Sequence, residues 1–549
     1  MASMRNRDAL SGVSCFMLLV LVLATTVVGA GAADQPLVSA AAQQDWRQVR
    51  TLLAEGADVN ERRADGVTAL LWAAHWDHVA TVEALLAAGA DPNAATDHGV
   101  TPLMRASENA GDAVAEALLA AGADPNAAQA SGLTALMIAA DTGDRDVVRT
   151  LLARGADVNA VTPSTGATAL MWAVEAPHPA VVHILLESAA DVSVSSKKGF
   201  TPLLLAARNG DVELARLLIT AGADVNEPGS DGTHALPLAI ISGHDAFAMF
   251  LLEQGADPRG TIDGVPAIHA AAGDVTTWLV DWYREHGGRR AVDAGGRGIS
   301  GLSPERRLPL VAALLARGAD PNARIDKSAV VLSYIGTTRY GVFEQNSVGT
   351  GDVRGATPLW VAAKSSNGGG LQGEQGPPSQ YRYDSSADII RALVAAGANP
   401  NLTTDDGTTP LMMAAGLGVR SHQPLMPRGR PSPPAEAAVR ALVEAGAEVN
   451  AANNGEFTAL HGATFRGLNE VIQYLVEQGA DIDARDYRGR TAYRMAEGAK
   501  QSFQYQAFPE TAEFLKELGA NPRLGIPGTI HERADREALA ETVGGPDSR

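Results

Sequence analysis

The stretch "GFTPLLLAARNGDVELARLLITAGADVN", Gly199 to Asn226, opens a unit at Thr201 and closes it at Gly222, twenty-one residues on. The two marks recur along the chain. The opening slot is filled by Thr68, Thr101, Thr134, Thr168 and Thr201, then by His234 and Pro266, at steps of 33, 33, 34, 33, 33 and 32 residues. One more step back from Thr68 lands on Gln35, in a worn first copy, and later copies open at Thr357, Thr409, Thr458 and Thr491. Closing phrases such as "GADVN" stand at Gly56, Gly89, Gly122, Gly155, Gly222 and onward to Gly519, with Ala189 replacing the glycine once. Thirteen copies result if a degraded one near Arg297 is counted. A fixed period of this length marks a repeat array.

Each copy reads as two helices and a turn. In the copy at Thr68, the threonine hydroxyl caps a helix, and Ala or Pro follows in the first turn, where no amide bond is lost. Leu70, Ala73 and Ala74 let this short helix sit close to its neighbours. Val79, Val82, Leu85 and Leu86 then share one face of a second helix. Gly89 ends that helix in a left-handed cap, and "ADPN" with Gly99 makes a turn-rich finger. No single copy buries its apolar face, so copies must stack.

This pattern resembles the ankyrin repeat, with its "TPLH-A" start, paired helices and β-turn finger. The resemblance runs from about Gln35 to Arg523 and implies an all-α solenoid of about 12–13 helix-turn-helix units with β-turn fingers. The histidine expected after "TPL" survives only at His269 and His461, while Met104, Met137, Met171 and Leu204 hold that place elsewhere.

The same register settles "WAAHWDHVATVEALLAAGADPN", Trp72 to Asn93, where His75, Asp77 and His78 suggest a metal or proton-transfer site. His78 falls ten residues after Thr68, in a slot that elsewhere holds Asp45, Asp144, His178, Asp211 and His244. That slot precedes the second helix, where a capping side chain belongs. His75 and Asp77 alone do not make a metal site, which needs three or four ligands. No metal and no cofactor is expected.

Seven residues after each opening come His75, Glu108, Asp141, Glu175, Arg208 and Ile241, which the resemblance places on the inner groove. Glu108, Asp141 and Glu175 would form a ladder at the roughly 8–10 Å step of packed helices. That is at the wide limit for paired acid–base catalysis, and exposed, whereas such catalysis needs a desolvated cleft. The set, with Trp76 as an aromatic anchor, reads as a partner-binding surface.

Further along, the chain lacks a nucleophile elbow, a Walker loop and a His-Glu-x-x-His helix. Gly296, Gly298 and Gly301 match a dinucleotide string but sit in a worn repeat without a preceding strand. A formal charge of −19 over 549 residues, without a basic run, argues against nucleic acid. Arg5 and Arg7 precede the apolar stretch Phe16–Val28 and the small-x-small Ala30-Gly31-Ala32, so residues 1–32 read as a cleaved export signal. After cleavage no membrane anchor is expected, and loss of Cys15 leaves a chain without a thiol.

Regular repeats therefore fill 33–260, degenerate ones 261–322, and insert-bearing ones 323–523, before a polar tail at 524–549. The inserts span Ala323–Gly355, Lys364–Ser386, Gly416–Glu436 and Lys500–Glu510. Tyr334, Tyr340, Phe343, Tyr381 and Tyr383 give them an aromatic load suited to partner contact. The expected function is an exported, non-catalytic protein-binding scaffold, periplasmic or extracellular, whose partner carries a basic surface. The rival is an enzyme or host-directed effector with a site in 261–436, where His269, Asp326, Tyr340, Arg354 and His422 would converge.

Overall fold

The computed structural model describes residues 35–286, 302–329, 352–367, 386–417, 431–487, 489–497 and 508–524. They fall into two units, residues 1–239 with 285–288 and residues 240–284 with 289–549. The export signal and, beyond Leu524, the polar tail lie outside the described residues. Among the described residues, no helix is long and apolar enough to cross a membrane.

In the first unit, each opening threonine does what its position predicts. The hydroxyls of Thr68, Thr101, Thr134, Thr168 and Thr201 accept from the amide three residues on. The first helices so started, from Pro36–Ala42 through Ala69–His75, Pro102–Glu108, Ala135–Thr142 and Ala169–Glu175 to Pro202–Asn209, pack side by side as one layer. The second helices, from Trp46–Ala54 to Val212–Thr220, form another layer behind them. Close approach needs small residues, and Ala73, Ala74, Ala106, Ala139, Ala140, Ala173, Ala206 and Ala207 are all fully enclosed. Leu85, Leu118, Leu151, Leu185 and Leu218 close the space between the layers.

The second-helix caps follow the slot that contains His78. Its Nδ1 accepts from the Thr81 amide at 3.2 Å, and Asp45, Asp144 and Asp211 cap in the same way. His178 stands in the slot but turns its side chain elsewhere: its Nε2 meets the Asp141 carbonyl at 2.9 Å, one repeat back. His78 is therefore a capping residue.

The recurring asparagine of "ADVN" joins successive repeats. Asn93 donates from Nδ2 to the Gly122 carbonyl at 3.0 Å and accepts at Oδ1 from the Asp124 amide at 2.7 Å. Asn60, Asn126 and Asn159 repeat this two-point bridge. Ser193 takes the place once and bonds back to Asp191 instead.

Every closing glycine named above adopts positive φ, and Ala189 does so at 62°. A β-carbon costs roughly 1–2 kcal/mol in that conformation. Ala189→Gly should therefore stabilise the protein by about 0.5–1 kcal/mol after the extra chain entropy of glycine is subtracted. The urea midpoint of helical circular dichroism should rise, and an unchanged or lower midpoint would contradict the strain.

The second unit keeps the pattern but parts its helix pairs. A two-residue hairpin, Thr261–Ile262 with Val265–Pro266, leads into Ala267–Ala272. The partner of that helix is Pro304–Ala316, which packs on Ala267–Ala272 and stands between Asp245–Glu253 and Ser386–Ala395. Among the described residues of 261–322, these two helices form one repeat with separated helices. Helix Val280–His286 belongs to the segment between them. The remaining helices pair off, giving twelve repeats among the described residues, and Arg297, where a further degraded copy was expected, lies outside them.

Helix pairs Pro358–Ser365 with Ser386–Ala395, Pro410–Ala414 with Pro433–Glu444, and Ala492–Glu497 with Pro509–Glu517 flank the other inter-helix inserts. The finger insert after Ala323 is closed at its foot, where the Val353 amide donates to the Ala329 carbonyl at 2.9 Å.

Candidate binding face

Residues three and four apart on a helix share a face. On Ala69–His75 that rule groups Trp72 with His75 and, just past the helix end, Trp76. Trp76 is 41% exposed, stacks on Trp72 at 6.4 Å between ring centres, and meets His75 edge-on at 4.8 Å. An exposed indole supported from below by two half-buried rings is held ready for contact without rotamer loss on binding. His75 titrates below the usual histidine range because it is partly buried and because the Arg105 cation is near. It is therefore uncharged at neutral pH. Asn109 Nδ2 lies 3.4 Å from His75 Nδ1, tying this cluster to the next repeat.

The carboxylates at the same slot are not a bare ladder. Arg105 donates to Glu108 Oε2 at 2.6 Å, while Glu108 Oε1 is buried without a hydrogen-bond partner. Glu175 binds Arg208 of the next repeat at 2.5 Å, with side chains 13% and 19% exposed. Arg208 also lies over the Phe200 ring, 4.9 Å from its centre. Asp141 is half-buried, and its carbonyl receives His178. Glu108 and Glu175 of the expected ladder are thus partly neutralised by Arg105 and Arg208. The i, i+3 spacing of Arg105 and Glu108 and the 33-residue step from Glu175 to Arg208 permit these pairs without specifying them.

Sequence reasoning missed the residues four after each opening threonine. Trp72, Arg105, Ile138, Trp172 and Leu205 line the same helix faces. Trp172 is 8% exposed, and the indole nitrogens of Trp72 and Trp172 are both buried without a partner. Two large aromatics recurring in one register slot was the available signal.

In the second unit the slot equivalent to Glu108 holds Lys364. The turn after Gly273 covers it. Trp278 places its ring 5.6 Å from Lys364 Nζ, and Thr277 Oγ1 is 3.3 Å from the same nitrogen. Asp274 Oδ2 stands at 3.6 Å, and the Asp274 amide donates to Ser365 Oγ at 3.3 Å. Burial raises the Asp274 pKa, but Lys364, Thr276 and Arg307 outweigh it and the carboxyl ends lower than usual. Trp278 meets Trp360 edge-on at 6.0 Å.

The residues proposed for a rival site in 261–436 do not converge where they are described. His269 is fully enclosed; its Nε2 lies 3.0 Å from the Ala356 carbonyl, and burial lowers its pKa to about 4. Arg354 is exposed and pairs with Asp405 at 2.7 Å, and Asp326 is exposed. Tyr340 and His422 lie outside the described residues, as do Tyr334, Phe343, Tyr381 and Tyr383. A shallow depression of about 440 Å³ lies between the second helices Arg145–Ala153 and Pro179–Glu187, lined by Leu152, Val158, Ile184 and Glu187. No group of three or more metal-ligating side chains occurs among the described residues.

Stacked two-helix repeats with a polar and aromatic first-helix face define a class of repeat protein built around a binding surface. A family model described as "Ankyrin repeats (3 copies)" matches residues 37–129, 111–196, 188–262 and 381–486, more than half of the sequence, and the chain belongs to the ankyrin repeat family. Ankyrin repeats mediate protein–protein interaction. Among curated relatives, human "Ankyrin repeat and SOCS box protein 16" is 35% identical over 25% of this chain and 27% of its own length. Mouse "Ankyrin repeat and SAM domain-containing protein 6" is 38% identical over 17% of this chain and 9% of its own. The alignments thus span about a quarter or less of those relatives. Among solved structures, the human ASB11 ankyrin repeat domain aligns with 41% of this chain and 99% of its own at 32% identity and a TM-score of 0.37.

Proposed function

We propose that this protein is an exported, non-catalytic scaffold that holds a protein partner on the first-helix face of its first unit. The observation that carries this reading is Trp76, 41% exposed and backed by Trp72 and His75, at the end of a helix row whose other slots present Glu108, Asp141, Glu175 and Arg208. A bulky aromatic side chain left in water beside polar ones is of the kind enriched at interface hot spots. The row of carboxylates on this face favours a partner with a basic surface. Export rests on Arg5, Arg7, the apolar stretch Phe16–Val28 and the small residues up to Ala32.

The test is capture of the natural partner from the exported fraction by the full chain, compared with a chain carrying Glu108→Lys, Asp141→Lys and Glu175→Lys. The triple variant should retain at least tenfold less partner, and capture by the unaltered chain should weaken as salt rises. Circular dichroism would confirm that the variant is folded. Equal capture by both chains would remove this face from the function.

A further inference from the structure

We propose that His286 is a pH-sensitive latch, holding the end of helix Val280–His286 on the fingers at Lys198 and Asp231 in mild acid and loosening it above neutrality. Glu285 and His286 belong to the first unit, as do both fingers. The latch does not depend on any partner of the chain.

Two closely packed fingers build the seat. A β-carbon on Gly229 would lie 2.2 Å from the Gly199 carbonyl oxygen, so this approach of backbone to backbone needs glycine. It brings a carbonyl and a carboxylate to one imidazole. His286 Nε2 lies 3.0 Å from the Lys198 carbonyl oxygen and 3.2 Å from Asp231 Oδ2. Asp231 is itself held in place. The Thr233 amide donates to its Oδ1 at 3.0 Å, and Thr233 Oγ1 donates to its Oδ2 at 2.8 Å. The imidazole stands edge-on to Phe200, 5.5 Å between ring centres, and the His286 side chain is 7% exposed.

Both neighbours of Nε2 are acceptors, so that nitrogen carries a proton whether the ring is neutral or charged. A second proton, on Nδ1, turns a neutral hydrogen bond to Asp231 into a charge-assisted one of about twice the strength. The other charges around this shallow cavity of about 250 Å³ are Glu285 on the same helix and Lys197 and Lys198 on the finger. Arg208 lies over the Phe200 ring. Lys197 and Lys198 are exposed and screened by solvent, and Lys197 donates to the Pro163 carbonyl. Asp231 acts at contact distance and outweighs them.

The sign follows from which group titrates. Burial raises the Asp231 pKa, but hydrogen bonds from His286 and Thr233 and the His286 charge outweigh it and hold the carboxyl well below its usual range. Asp231 therefore stays ionised, and histidine is the group that changes charge between about pH 5 and 8. The added hold is present while the ring is protonated and is lost as rising pH removes that proton. Phe200 also touches Arg208, which binds Glu175, so the latch borders the first-helix face.

Hydrogen exchange of the full chain at about pH 5.5 and about pH 8, corrected for the intrinsic rate at each pH, tests this. Peptides covering 228–233 and 280–286 should open about threefold more often at the higher pH. His286→Gln, which keeps a donor but cannot titrate, should remove the difference, and so should Asp231→Asn, which keeps the Thr233 contacts but not the charge. Circular dichroism would confirm that each variant is folded, and either folded variant is sufficient for the comparison. Equal corrected protection of the unaltered chain at both pH values, or a pH difference that persists in a folded variant, would overturn the latch.

Discussion

Trp360→Ala should destabilise the second unit by about 3–5 kcal/mol, the usual cost of emptying a large aromatic site. Trp360 is 0% exposed in helix Pro358–Ser365, with Leu359, Val361 and Ala362 enclosed around it. Its ring supports Trp278 edge-on, and Trp278 in turn lies over Lys364. Losing the indole therefore loosens both the repeat interface and the turn at Gly273–Leu279. Contacts in an array run mainly between neighbours, so the loss should appear as an early, separate urea transition rather than a uniform shift. Circular dichroism at the helical band, followed beside tryptophan fluorescence, reads it. A single transition with an unmoved midpoint would show that the aromatic pair adds little.

Gly132→Ala should cost more than Gly89→Ala, by about 1–3 kcal/mol. Both glycines have positive φ, 84° and 93°, so both variants bear the left-handed penalty of roughly 1–2 kcal/mol. Their surroundings differ. A β-carbon on Gly89 meets nothing within 4 Å, whereas on Gly132 it would lie 2.1 Å from Cδ of Pro163 in the next finger. Proline cannot swing aside as a flexible chain could, so the two fingers must separate. Urea unfolding of the two variants side by side isolates this difference, and equal losses would mean that the fingers part without resistance.

Much of the fold was legible because a repeat reports each physical requirement many times. A threonine hydroxyl with a free amide three residues on, and a glycine where a helix must reverse, recur at one spacing from Thr68 to Gly222. The parted repeat was harder. Ala267–Ala272 and Pro304–Ala316 are distant in sequence, and Leu310, Val311 and Leu314 declare a buried face without saying which helix it meets. Pairwise chemistry on the binding face was only half visible. Spacing put Glu108, Asp141 and Glu175 in one row, but a charge pattern does not reveal that Arg105 turns to Glu108 or that Arg208 reaches back to Glu175. Trp278 could not be placed from sequence, since the turn that brings it onto Lys364 follows no repeat rule. The tyrosine-bearing inserts lie outside the described residues.

The asparagine bridges have a consequence for how these units come apart. Asn60, Asn93, Asn126 and Asn159 each hold the following repeat at two points, whereas Ser193 bonds within its own loop and the Arg259 amide donates back to Asp257. Cooperativity in a linear array depends on its weakest junction. Thermal opening, and any protease that samples it, would therefore start at the junctions following Ser193 and Arg259, while the five repeats joined by the four bridges ahead of Ser193 stay closed as one block.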